Sequence, residues 1–217
     1  MGAQDVVEAL LDRYGRTYAE EAGIRLADRP MPLYQLLVLA TLLSARISSG
    51  VAVAAARELF AAGFRTPKAM AGASWQQRVD ALGRGHYRRY DERTATMLGD
   101  GAELLLDRWK GDLRRLREEA GGDGRRLGEL LQEFPGIGPA GADIFLREVQ
   151  AVWPQVAPHL DGRVLDGARA VGLPRRERPL AGLAAGSGTK LARLSAALVR
   201  VSHSEKSAAE VRSAARR

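Results

Sequence analysis

The chain has 217 residues, 33 Lys and Arg against 26 Asp and Glu for a net charge of +7, and no cysteine. That length holds one or two domains with a real core. The lack of cysteine excludes disulfides, thiolate zinc sites, iron–sulfur clusters and a cysteine nucleophile. The positive charge is almost all arginine, since lysine occurs only at Lys68, Lys110, Lys190 and Lys206. Arginine grips phosphate with two prongs where lysine offers a point charge, so the balance points to nucleic acid or an acidic partner. The longest apolar stretch, Leu33 to Leu43, is too short to span a bilayer, and the acidic, amphipathic N-terminus carries no signal-peptide pattern. A cytoplasmic, nucleoid-associated protein without membrane partners is expected, and a monomer.

In chain order, residues 3–22 read as a helix with Val6, Val7, Leu10, Leu11 and Tyr14 on one face. Arg29-Pro30-Met31-Pro32 is a linker, and Pro32 suits the first turn of the next helix. That helix, Leu33 to Ala45, is apolar all round, as a helix inside a bundle should be. Ser48 or Ser49 caps a helix from about Gly50 to Ala62. Thr66-Pro67 opens a short helix, and Ser74-Trp75-Gln76-Gln77 matches a capping box that opens another. Residues 83–90 form a loop rich in Arg, His and Tyr. Asp91 to Trp109 is a long helix, with short helices near 112–120 and 125–134. Another helix runs to about Val152, Trp153 to Pro158 is a loop, and Leu160-Asp161-Gly162-Arg163-Val164 starts a helix that ends at Gly172-Leu173-Pro174. Residues 175–188 read as loop, Lys190 to Val201 as an amphipathic helix, and the polar end from Ser202 as helix or frayed chain. No alternating strand pattern appears, so the fold class is all-α.

The most informative stretch is Phe134-Pro135-Gly136-Ile137-Gly138-Pro139-Ala140-Gly141-Ala142-Asp143. Apolar residues recur at helical spacing on both sides of it. Gly136 and Gly138 allow positive φ and a close backbone approach. Ile137 can then point inward while the turn and the next helix start offer free N–H groups to an anion. The plain alternative is a connecting turn in a bundle.

Three motifs stand in order: Leu42-Leu43-Ser44-Ala45-Arg46, Phe134-Pro135-Gly136-Ile137-Gly138, and Leu160-Asp161-Gly162-Arg163-Val164. Together they resemble the helix–hairpin–helix DNA glycosylases of the endonuclease III type, over about residues 30–175. The resemblance implies two helical subdomains with the active site between them. One is a barrel-like bundle of about six helices, 31–145, containing the hairpin at about 124–152. The other is a discontinuous bundle of 1–30 and 146–217. It also implies duplex DNA as partner, held by the backbone at Gly136, Ile137, Gly138, Ala140 and Gly141, with a monovalent cation possible among the hairpin carbonyls and no side-chain metal site.

The family's essential carboxylate falls on Asp161. Cleavage of an N-glycosidic bond passes through an oxocarbenium-like sugar that a carboxylate stabilises, and the same group can orient water. Asp161 also fits the N-cap of the helix that follows. Asp143 and Asp166 are competitors. Members that also nick the strand carry a lysine where this chain has Ala140, and no lysine lies between Lys110 and Lys190. The expectation is a monofunctional enzyme that uses water. The family's iron–sulfur loop is absent, so no cofactor is expected, and Arg175-Arg176-Glu177-Arg178 or the C-terminal tail would take over its DNA contacts. Where the family places a Gln that fills the gap left by a flipped base, this chain has Arg46, a wedge or a phosphate contact. Arg88 and Arg89, beside Tyr87 and Tyr90, suit phosphates and an unstacked base. Core packing is the default for Trp75, Trp109 and Trp153. A catalytically silent DNA binder and a helical protein-interaction domain are the competing readings.

Overall fold

A computed structural model describes residues 2–216, and among them there is no strand. Helices α1 (Ala3–Tyr14), α2 (Tyr18–Glu21), α3 (Pro30–Leu43), α4 (Ser49–Ala61) and α5 (Pro67–Gly72) come first. Next are α6 (Trp75–Arg84), α7 (Asp91–Trp109), α8 (Leu113–Glu119), α9 (Gly124–Leu131) and α10 (Pro139–Val149). A 3₁₀ turn, Pro154–Val156, precedes α11 (Gly162–Ala170), α12 (Glu177–Gly182), α13 (Gly188–Ser202) and α14 (Glu205–Ala214). The all-α class stands. Two expectations do not. The single helix over 3–22 is two, because Gly15 ends α1 and its amide donates back to the Leu11 carbonyl. Residues 175–188 are not all loop, because Leu180 is fully buried and anchors the short α12.

The chain divides into two compact units, residues 19–146 and residues 1–18 with 147–217. In the first, α3 is the axis. Ten of its residues are buried, every position from Pro32 to Leu42 except Gln35, which is why its sequence shows no polar face. Helix α4 packs on α3 and α6, and α7 on α5 and α6. Ser74 caps α6 through its hydroxyl, and Gln77 returns the bond to the Ser74 amide at 2.8 Å. At the far end of α6, a Cβ on Gly85 would sit 2.4 Å from the Ala55 Cα, so only glycine lets α6 end against α4. His86 follows at φ 62 and closes the helix, with the Tyr87 amide reaching the Leu82 carbonyl at 3.0 Å. The loop of Arg and Tyr is thereby fixed by helix packing.

The second unit gathers α1, α11, α13 and α14 around Val7, Leu10, Val164, Ala168, Leu194, Leu198 and Val211. Helices α11 and α13 cross closely at Gly167, where a Cβ would lie 2.0 Å from the Leu198 carbonyl oxygen. That crossing sets the direction of α11 and therefore of the residue that caps it, Asp161.

Candidate nucleic-acid interface and carboxylate

In the unit of residues 19–146, the turn of 134–141 is built from packing upward. Leu127, Leu130, Leu131 and Phe134 are buried, and Phe134 stacks on Trp109 with centroids 5.5 Å apart. Gly136 adopts φ 85, and a Cβ there would meet the Met97 sulfur at 2.8 Å. The positive φ is what favours glycine here, and a Cβ would in addition make the Met97 side chain shift. Ile137 is 4% exposed, and its amide donates to the Phe134 carbonyl at 3.0 Å. Gly138, Pro139 and Ala140 lie on the surface. Gly138 is not at positive φ and has open space where a Cβ would go, so the freedom expected of both glycines is used by Gly136 alone. Gly141 is buried, and a Cβ there would sit 2.4 Å from the Ser44 hydroxyl. The result is a buried Ile under an exposed backbone ridge that opens α10, where first-turn N–H groups have no helical partner.

Beside the turn lies a cavity of about 280 Å³, lined by residues that include Thr41, Arg46, Tyr87, Tyr90, Arg93 and Gly136. Of the expected DNA-contacting residues, the structure brings Arg46 and Gly136 to this one cavity. Arg88 and Arg89 are exposed on the 85–90 turn and do not line it, and the Arg89 guanidinium lies 5.2 Å from the centre of the Tyr90 ring. Tyr87 is fully buried, and burial pushes its hydroxyl above the usual phenol range, with a Thr94 hydrogen bond working against it. Sequence reasoning missed Thr41, Thr94 and Met97. Each sits on an apolar or mixed helix face with nothing to separate it from core.

In the other unit, Asp161 caps α11. Its Oδ1 accepts from the amides of Arg163 at 2.9 Å and Val164 at 3.1 Å, while Oδ2 accepts from the Arg147 guanidinium. Both side chains of the pair are 8% exposed. Behind them Gln150, fully buried, donates to the Arg147 carbonyl at 2.9 Å and accepts from the His159 amide at 3.0 Å. One amide side chain thus ties the end of α10 to the segment that carries Asp161. Arg147 was missed by the sequence reading. Its signal is a charge directly after the buried run Ile144-Phe145-Leu146, since an arginine there needs a buried partner.

Asp166 lies on exposed α11 surface, 3.7 Å from Arg169 and 3.5 Å from Arg175. Asp143 is half-buried on α10. Ala140 is exposed and offers no amine. Trp109 and Trp153 are buried as expected, whereas Trp75 is 42% exposed. Its indole N–H is held at the surface by the Thr96 hydroxyl at 3.2 Å. No helix is long and apolar enough to cross a membrane among the described residues.

No family model and no curated protein matches the chain. Among solved structures it is similar to a trapped endonuclease III–DNA covalent intermediate, an estranged-adenine complex. The identity is 16%, over 92% of this chain and 85% of that one, with a TM-score of 0.47. A likeness that loose carries no inference about this chain's chemistry.

Proposed function

We propose that the protein is a monofunctional DNA glycosylase of base-excision repair that binds duplex DNA, flips one base and hydrolyses its N-glycosidic bond. The observation that carries the reading is the 134–141 turn. Positive φ at Gly136 and the buried Ile137 present Gly138 to Ala140 as an exposed backbone ridge at a helix start. Such a ridge binds phosphate without reading sequence. A monovalent cation among the turn's carbonyls would add to that grip.

The chemistry falls to Asp161. Extraction of a base costs a few kcal/mol of stacking and pairing, and Arg46 offsets part of that by filling the gap. As the glycosidic bond breaks, its electron pair leaves with the base and the sugar takes on positive charge. Asp161 stabilises that charge. Water adds its oxygen to C1′, and its released proton balances the one taken up by the departing base. A carboxylate has about four acceptor sites, and three are occupied here by two amides and Arg147. Asp161 therefore orients water and supplies charge rather than acting as an unencumbered base. With Ala140 in place of an amine, no Schiff base forms and an intact abasic strand is the product.

A second reading rests on the same ion pair. Arg147 offsets the charge of Asp161, which is what a silent DNA binder that retains the carboxylate as a helix cap would show. Base release from labelled duplexes, each carrying one lesion or mismatch, separates the two. The glycosylase predicts strand breaks only after alkali, lost in Asp161→Asn. Breaks without alkali would mean an amine acts. No release from any duplex, with salt-dependent binding retained, would make the silent binder correct.

A further inference from the structure

The cavity beside Gly136 carries more chemistry than a generic base slot, and it can be read donor by donor. Its hydroxyls on α3 are committed in one direction. Thr41 donates to the Leu37 carbonyl at 3.0 Å and Ser44 to the Ala40 carbonyl at 2.6 Å. Their hydrogens are spent on the helix, so what they turn to a ligand is lone pairs. The cations are committed to nothing. Among the described residues, neither Arg46 nor Arg93 has a hydrogen bond or an ion pair, and the Tyr90 hydroxyl has no hydrogen bond. No carboxylate and no side-chain amide lines the cavity. The rest of the lining is Ala45, Tyr87, Thr94, Met97 and Gly136, and the Thr94 hydroxyl donates to the Tyr87 hydroxyl at 3.5 Å. At about 280 Å³ the cavity lies at the small end for ligand sites, room for a single ring system.

We infer that this cavity selects a base with two ring carbonyls flanking an N–H, a dioxopyrimidine, and that Arg93 is its specificity-determining residue. The edge of such a base reads acceptor, donor, acceptor. The guanidinium and phenol donors meet the carbonyls, and the lone pairs of Thr41 and Ser44 meet the N–H. An aminopurine or cytosine would turn an exocyclic amino group toward a guanidinium, donor against donor, and leave both without a partner. Arg46 and Arg93 are both exposed where they line the cavity; Arg46 also suits the wedge role, whereas Arg93 stands in the first turn of α7, next to Thr94 and one turn before Met97. The inference rests on the proposed function for how the base arrives, but its test does not need catalysis.

The experiment measures affinity for duplexes whose sugar carries a 2′-fluoro group, so that no bond is cut. The central base is a dioxopyrimidine mispair, a cytosine or an adenine. Wild type, Arg93→Ala and Arg93→Lys are compared at several salt concentrations. The expected result is a preference of about tenfold or more for the dioxopyrimidine, the scale of one good bidentate contact. Arg93→Ala erases it and Arg93→Lys restores it only in part. Two outcomes overturn the inference. One is equal affinity for all three duplexes in the wild type. The other is an Arg93→Ala variant that weakens every duplex alike and lowers the log–log salt slope by about one, the mark of a phosphate contact. The failure of the glycosylase reading looks different: the preference is present, and no natural duplex is ever cut. Release of adenine by an active enzyme would sink the specificity and keep the function.

Discussion

Two buried arginines, one in each unit, divide the molecule's polar chemistry. Arg78 is 9% exposed and Arg147 is 7% exposed. Arg78 meets only backbone. It donates to the carbonyls of Ala95 at 2.8 Å, Met70 at 3.0 Å and Ala73 at 2.8 Å, and Gly99 leaves the space its head group occupies. It fastens the end of α5 to α7 with no counter-charge. Arg147 meets a carboxylate, Asp161, that is itself fixed by two helix amides. The contrast teaches where to look for function. A buried arginine that serves only the fold can be satisfied by carbonyls, which every turn supplies. A buried ion pair costs desolvation of two charges and is weak as a source of stability, so its presence at one N-cap asks for another reason.

That contrast can be broken in steps. Arg147→Ala should have the largest effect on stability, about 3–5 kcal/mol, because Asp161 is left as an uncompensated buried charge. Urea unfolding reads it, and the double variant with Asp161→Asn should recover part of the loss. Next is Asp161→Asn alone, which keeps an acceptor for the Arg163 and Val164 amides. Base release should fall by about 10²–10³, the scale of one lost electrostatic contact at a transition state, with the fold retained by circular dichroism. Arg78→Met should lower stability by about 3 kcal/mol, since three carbonyls lose their donor, and should leave DNA affinity untouched. An effect on DNA affinity would erase the distinction between the two arginines. Gly136→Ala should cost about 1–2 kcal/mol through its positive φ and weaken DNA binding, while Gly138→Ala, in open space, should do less to the fold. Smallest is Ser74→Ala, about 1 kcal/mol of capping lost at α6 with no change in binding.

Helical periodicity made most of the fold legible. The long α7 runs from Asp91 to Trp109 as its apolar spacing indicates, and the Ser74 capping box is formed. The failures are local. Gly15 ended a helix that was expected to run to residue 22, and Leu180 ordered a segment whose Arg, Pro and Gly content reads as loop. In both cases one contact or one chain reversal outweighed composition. The candidate site was legible in part. Asp161 was recognisable as an N-cap because capping is decided within three residues. Its partner Arg147 was not, because pairing across 14 residues is settled by how α10 and α11 are brought together.

The sequence by itself determined the helices, their caps, the absence of thiol chemistry and the Gly-rich turn, since each depends on residues within a turn or two of one another. Only tertiary structure decided which glycine needs positive φ, that Asp161 is paired, and that Tyr87, Arg93 and Thr41 face one cavity. Those facts depend on the distance between helices that are remote in the chain, and a linear pattern carries no measure of that distance.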